Sequence, residues 1–213
     1  MSDRICIASG QTDQRRVSAQ NLIACCISCG GCDGGDPAYA WRFWKSAGIP
    51  TGGLYGDKTT CQPYFLPPCD HHVNGSHGAC PDSVNTPLCF TNCNDGNKAT
   101  YSSDLIYGSS AYSVSGEKNI MQELYESGPV EASFTVYEDF VTYKSGVYQH
   151  VTGSALGGHA IKMIGWGVEN NVKYWLCVNS WNDEWGDKGF FKIRRGTNEC
   201  GIENSINAGA PDL

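Results

Sequence analysis

The sequence of 213 residues predicts an α+β protein of two segregated lobes, with helices first and strands later. Helix signals cluster before Gly48, and period-2 apolar alternation begins only at Val130. Between them, Thr51 to Ser110 shows no sustained period at all. With 40% hydrophobic and 17% charged residues, the chain is globular and not a disordered tail. Its length suits one domain or two intimately packed lobes. No apolar run approaches the ~18 residues of a membrane span. A net charge of -7 argues against a nucleic-acid partner, which needs clustered Lys and Arg.

Each element has a local cause. Ser18 can cap a short helix running to Cys25, with Leu22 and Ile23 as its apolar contribution. Asp36-Pro37 is a cap followed by proline at the first helical position, and Tyr39, Ala40, Phe43, Trp44 and Ala47 recur at helical spacing. Gly48 stops this helix and Pro50 prevents its resumption. A third helix, Glu117 to Ser127, closes at Gly128-Pro129, with Ile120, Met121, Leu124 and Tyr125 on one side. Val130, Ala132, Phe134 and Val136 then alternate as a strand. The runs 160–164, 174–178 and 189–193 are short, β-rich and bounded by Gly, Asn or Asp, which predicts an antiparallel sheet or partial barrel.

The irregular stretch holds five of the nine prolines and also Cys61, Cys69, Cys80, Cys89 and Cys93, so disulfides are expected to supply its order. Twelve cysteines in all point to an oxidising compartment. The opening MSDRICIASG has neither the basic stretch nor the apolar core of a secretory signal, which reads as a mature or an incomplete chain. Cys26, Cys29 and Cys32 form two C-x-x-C pairs that share Cys29, so they cannot be two independent zinc knuckles, and no metal is expected.

Histidine is scarce, and His159 opens an apolar run directly after Gly157-Gly158. Taken alone, it reads as a core histidine with satisfied hydrogen bonds, just as Asn179 at a strand end reads as a turn residue. Two adjacent strands would instead set the Asn179 carboxamide against the His159 ring, with Trp181 screening the bond from water. That is the base and its orienter in a nucleophilic constellation.

The block GGHAIKMIGWGVENNVKYWLCVNSWNDEWGDKGFFKIRRGTNECGIE resembles the His and Asn segments of papain-family cysteine peptidases. SDRICI, CDGGDPAYAW, GGLY, PPCDHHVNGS, GPVEASFTVYEDF and YKSGVYQHVTG narrow the resemblance to the cathepsin B-like branch, from Ser2 to about Gly209. It implies a papain-like two-lobed fold in residues 1–213, incomplete at the N-terminus. About 1–110 would form the helical, disulfide-rich lobe with an occluding loop near 69–80, and about 111–213 the mainly β lobe. It further implies His159 as general base, Asn179 as its orienter, and Trp181 and Gly158 as supports of the site. Gly34, Gly35, Ser133 and Ser205 match substrate-binding positions. His71 and His72 match the paired histidines of the occluding loop, which receive a substrate's C-terminal carboxylate. The implied disulfides are Cys25-Cys89, Cys26-Cys29, Cys61-Cys93 and Cys69-Cys80; Cys6 and Cys32 match positions whose partners lie in the missing segment, and Cys177 and Cys200 match ordinary thiols. No cofactor is implied. The expected partners are peptide or protein substrates and cystatin-type inhibitors, with no membrane, for a monomer in the lysosome or outside the cell.

The sequence departs from the family in one decisive respect. It has no Gln-Gly-Ser-Cys-Gly-Ser-Cys-Trp type segment, so the nucleophilic Cys and the oxyanion Gln are both missing. Met1-Ser2-Asp3-Arg4 resembles the far end of the helix that carries the nucleophile, which places that residue roughly two helical turns before Met1. Cys25 and Cys26 are the tempting substitutes, but they match the disulfide cluster. The chain as given is therefore expected to be inactive, and a non-catalytic binding protein is the alternative. A disulfide-rich structural module would leave the His159 and Asn179 pairing unexplained. Three finer expectations follow from the same comparison. Ser205 replaces a Glu that floors the family's S2 pocket, and His77 and Glu184 replace the Arg and Asp that anchor the loop, as a pair sensitive to pH. Asn74-Gly75-Ser76 is an N-glycosylation sequon.

Overall fold

The computed structural model describes residues 1–213, which divide into two compact units. The first comprises Met1–Pro68, Pro81–Tyr112 and Gly209–Leu213. The second comprises Cys69–Cys80 and Ser113–Ala208.

The first unit carries α1 (Ser2–Ala8), α2 (Ala19–Cys25), α3 (Pro37–Ala47) and the single turn α4 (Tyr101–Asp104). Ser18 caps α2 by accepting the Asn21 N–H at 2.9 Å, and Asp36 caps α3 by accepting the Ala38 N–H at 2.9 Å. Gly48 ends α3 at φ 73°, where a Cβ would strike the Tyr107 ring. The core is Ile5, Trp41, Trp44, Ile49 and Ile106, with the two indoles edge to face at 5.7 Å. The buried stripe of α3 runs through Ala40, Trp41 and Trp44, while Tyr39, expected on the apolar side, stays exposed. Positions 37, 40, 41 and 44 lie within one helical face, which Tyr39 does not share.

Most of the irregular stretch is held from outside regular structure. Cys25–Cys89 and Cys61–Cys93 tie it down. The Gln62 side-chain amide donates to the Phe90 and Asn92 carbonyls, and the Thr51 hydroxyl accepts the Cys61 N–H. Buried Arg4 donates to the Gly209 carbonyl at 3.1 Å and stacks over Trp41, so residues 209–213 return to this unit.

The second unit is built on a seven-stranded sheet. Its elements are β1 (Tyr112–Val114), α5 (Glu117–Ser127), β2 (Val130–Tyr137), α6 (Glu138–Val141), β3 (Val147–Tyr148), β4 (Ala155–Glu169), β5 (Val172–Val178), β6 (Phe190–Arg194) and β7 (Ile206–Ala208). The strand order is β1-β7-β2-β4-β5-β6-β3; β3 runs parallel to β6, and β2/β4, β2/β7, β4/β5 and β5/β6 are antiparallel. The alternation of β2 is complete, with Val130, Ala132, Phe134 and Val136 all buried. On α5, Ile120 and Leu124 face the core, whereas Tyr125 is exposed. Strand β4 is far longer than its apolar run, because its first half pairs with β2 and its second half with β5. Asn170 and Asn171, both at positive φ, make the tight turn into β5. The core gathers Phe134, Phe140, Trp175, Trp181, Trp185 and Phe191 around the sheet.

Segment 69–80, expected with the helical lobe, groups with the second unit instead. The cause is polar. The Asn182 amide donates to the Cys69 carbonyl and to Asp70 Oδ1, and Glu184 Oε2 accepts the Ser76 N–H at 2.8 Å.

Candidate active site

Strand pairing places the site. His159 lies in β4 opposite Phe134 of β2, and Asn179 follows directly on β5, the other neighbour of β4. The Asn179 N–H donates to the Gly189 carbonyl at 2.9 Å, which fixes the residue just beyond the strand. Asn179 Oδ1 and His159 Nε2 are then 2.8 Å apart. The same oxygen accepts the Ser180 N–H at 2.8 Å. A backbone N–H can only donate, so the amide oxygen is an acceptor toward both groups. The imidazole therefore carries its proton on Nε2 and presents a lone pair on Nδ1.

Trp181, buried, stacks on His159 with ring centroids 4.9 Å apart and 23° between planes. It keeps water from the His159–Asn179 bond on that side. Phe134 packs against the same imidazole at 6.0 Å. Phe134 is a contributor that sequence reasoning had assigned only to the core, although its register position opposite His159 follows from the strand alternation. The Asn179 Nδ2 group is buried without a hydrogen-bond partner, so the carboxamide is oriented through its oxygen alone.

His71 and His72 stack on each other at 4.1 Å, and both meet Trp181 edge to face, at 5.2 and 4.7 Å. His72 sits at φ 60°, a left-handed conformation uncommon outside glycine. Three imidazoles thus gather around one indole. Burial lowers the His159 pKa, the hydrogen bond to Asn179 opposes this, and a charge on His72 lowers it further. His71 is lowered by burial, then by His72 and by His159; His72 is lowered by burial. Each ring therefore takes up its proton at a lower pH than a free imidazole does.

The second unit also joins Ser133 to Ser205, since the Ser133 N–H donates to the Ser205 carbonyl at 2.9 Å. Ser133 lies opposite Ala160 in the ladder, and Gly158 lies opposite Thr135, with open space where its Cβ would stand. Gly34 and Gly35 belong to the first unit. A side chain at Gly35 would collide with the Cys29 carbonyl, while Gly34, at φ 86°, opens onto free space.

The loop anchor differs from the expected His77–Glu184 ion pair. Glu184 accepts the Ser76 backbone N–H, and buried Asp70 accepts the N–H groups of His77 and Gly78 at 3.0 and 2.8 Å. The longer Glu side chain reaches the main chain of the loop directly and needs no partner cation. Asp70 and Asn182, which complete this anchor, carry no recognisable signal beyond their adjacency to Cys69 and Trp181.

The structure contains disulfides Cys25–Cys89, Cys26–Cys29, Cys61–Cys93 and Cys69–Cys80. Bonding between Cys26 and Cys29 uses the two sulfurs that a C-x-x-C zinc site would need. Cys6, Cys32, Cys177 and Cys200 are free. Burial drives the Cys177 thiol well above its usual range, and burial with the Glu199 carboxylate pushes Cys200 up to about 12. Neither free thiol of the second unit is an activated nucleophile.

Residues 1–210 match the family model described as papain family cysteine protease. The chain belongs to that family. A cathepsin B-like cysteine proteinase of Schistosoma japonicum is 51% identical over 212 residues, covering 98% of this chain and 62% of that protein. Cathepsin B-like cysteine proteinase 6 of Caenorhabditis elegans is 50% identical over 218 residues, covering 100% of this chain and 58% of that protein. The chain thus spans about three-fifths of the length of these relatives. Among solved structures, procathepsin B S9 of Trypanosoma congolense superposes with a TM-score of 0.82 at 40% identity, over all of this chain and 65% of that one. A digestive procathepsin L 3 of Tenebrio molitor shares the fold, with a TM-score of 0.71 at 22% identity over 98% of this chain and 59% of that one. The two-lobed papain-like fold and the cathepsin B-like resemblance both hold.

Proposed function

We propose that these residues form the base-bearing part of a cathepsin B-like cysteine peptidase. The observation that carries this reading is the 2.8 Å His159–Asn179 bond beneath the Trp181 ring, which leaves Nδ1 free as a base. The reading requires a thiol of the family's Gln-Gly-Ser-Cys type, a segment that these 213 residues do not contain. Its thiolate, paired with the His159 imidazolium, attacks the substrate carbonyl carbon. The tetrahedral intermediate collapses, the C–N bond breaks, and His159 passes its proton to the leaving amine. Water then attacks the thioester, gives a proton back to His159 and releases the acid.

Gly34 and Gly35 pair with substrate backbone, Ser133 and Ser205 line the pocket for the second residue before the scissile bond, and Gly158 leaves room beside the base. His71 and His72, as cations, receive a substrate's C-terminal carboxylate, adding dipeptide release to internal cleavage. The protein acts on peptides or proteins in the lysosome or outside the cell, meets cystatin-type inhibitors, and works as a monomer. By itself, the 213-residue chain is inactive.

An epoxysuccinyl thiol label, titrated against the 213-residue chain and against a version joined to the family-type segment, tests the proposal. Stoichiometric labelling and peptide hydrolysis are expected only for the joined form, and both are expected to fall in His159→Ala. Stoichiometric labelling of the 213-residue chain, with hydrolysis dependent on His159, would refute it.

A further inference from the structure

Segment 69–80 holds the one Asn-Gly dipeptide of the sequence, Asn74-Gly75. Such a pair is a latent chemical step, because a glycine without Cβ lets its own amide nitrogen swing onto the preceding side-chain carbonyl. The surroundings of the pair decide whether that step is open.

The segment is pinned on both sides of it. The Cys69–Cys80 disulfide closes the ends, and the Asp70 N–H donates to the Gly78 carbonyl at 2.7 Å. Val73 packs against the core of the second unit. Beyond the pair, three successive N–H groups are taken by carboxylates. Glu184 holds that of Ser76 at 2.8 Å, and Asp70 holds those of His77 and Gly78 at 3.0 and 2.8 Å. The Gly75 N–H, one residue earlier, has no acceptor, and the Asn74 carboxamide has no partner either. Both residues are exposed. An uncommitted nitrogen therefore stands next to an uncommitted carboxamide, between two fixed points. A residue with a side chain, which would slow the reaction, is excluded at 75, since its Cβ would collide with the Glu184 carboxylate and with Asp70 Oδ1. The anchor of the loop thus requires the glycine that makes the loop labile.

We infer that Asn74 is a self-modification site, at which slow deamidation unfastens this loop. The Gly75 nitrogen attacks Asn74 Cγ and forms a C–N bond. Its proton departs with the side-chain nitrogen as ammonia, and a succinimide ring is left. Water opens the ring at either carbonyl, giving aspartate, or isoaspartate with the main chain routed through the former side chain. No oxidant or cofactor takes part. Both products work against the anchor. Each adds a carboxylate one residue from the Glu184 and Asp70 carboxylates that flank Gly75, and like charges repel. Isoaspartate also lengthens the main chain by one C–C bond, about 1.5 Å, between Val73 and Ser76. The chemistry does not depend on the peptidase reading; only its consequence, a decline of dipeptide release as His71 and His72 lose their setting, rests on it.

The test ages the 213-residue chain at neutral pH, made in a host that adds no N-glycan, because a sugar on Asn74 Nδ2 would block the reaction. Peptide mapping by mass spectrometry reads the exchange of side-chain NH2 for OH, chromatography separates the aspartyl and isoaspartyl forms, and hydrogen exchange reads the Ser76 and His77 amides. Asn74 should convert ahead of every other Asn in the chain. Ser76 and His77 should lose protection in the converted fraction alone. Asn74→Gln, whose longer side chain would have to close a larger ring, should stay unconverted and keep its protection throughout. Survival of Asn74 under conditions that convert a synthetic peptide of residues 69–80 would overturn the inference. Unchanged Ser76 exchange after conversion, or an equal loss of protection in aged Asn74→Gln, would overturn it as well. None of these readouts needs a nucleophilic thiol, so failure of the peptidase reading would leave them unaffected.

Discussion

Replacing Asn179 by Ala removes one acceptor and one orphaned donor. The donor, Nδ2, has no partner, so its loss costs nothing. The acceptor, Oδ1, serves two groups of different standing. Ser180 is exposed, and water can replace the oxygen at its N–H. His159 Nε2 lies under the buried Trp181 ring, where replacement is hindered. A hydrogen bond to a charged group contributes about 1.5–3 kcal/mol, and it is fully used only when His159 is imidazolium. The expected fall in kcat/KM is therefore roughly 10- to 150-fold. Stability of the 213-residue chain should fall by only about 1–2 kcal/mol, since the bond lost there is one to a neutral imidazole above its lowered pKa. The Asn179 bond is also a force that raises the His159 pKa, so its loss should move the titration further down. The assay pairs fluorogenic peptide kinetics of the nucleophile-bearing protein with the imidazole proton titration by NMR. A loss under threefold, with the titration unmoved, would refute the orienting role.

The lowered pKa values of His71 and His72 mean that their cationic forms appear only as pH falls, so carboxylate capture should strengthen on acidification. The ratio of dipeptide release to internal cleavage should rise from neutral to acidic pH, and a ratio that stays flat, or is unchanged in His71→Gln/His72→Gln, would sink the idea. The loop anchor predicts a split between neighbours. Glu184→Ala should speed amide exchange at Ser76 and lower dipeptide release, while His77→Ala should do neither, and the reverse pattern would restore the ion-pair anchor. With Ser205 in place of a carboxylate, a substrate with an apolar residue before the cleaved one should be turned over faster than its Arg counterpart; equal turnover of the pair would count against Ser205.

Legibility followed periodicity and polarity. The strand from Val130 to Tyr137 is readable because alternate residues meet alternate environments, a period short enough to survive any context. The phase of α3 is less so. Tyr39 and Trp41 are both aromatic, and only the position of Ile5 and Ile106 decides which ring is buried. The His159–Asn179 contact is readable because His159 follows a glycine pair within its strand and Asn179 stands just beyond the end of another, before Trp181. The grouping of 69–80 is not, since it depends on Glu184 accepting the Ser76 N–H and on the Asn182 amide donating to Asp70, each contact spanning more than a hundred residues of sequence.

Residues 209–213 have a consequence for how the protein is made. The Ser109 N–H donates to the Ala210 carbonyl at 2.9 Å, the Asp212 N–H donates to the Tyr107 carbonyl at 3.0 Å, and Arg4 holds the Gly209 carbonyl. These contacts close the unit that begins at Met1, yet the ribosome reaches them only after translating all of Ser113–Ala208. The usual vectorial order, in which the earlier domain finishes first, is unavailable here. During synthesis, the Arg4–Gly209 contact forms only after the sheet residues are made, and the ten cysteines that precede Ser113 are exposed to mispairing for that whole interval. A chain truncated after Ala208 should therefore hold a finished sheet beside an unfinished helical unit.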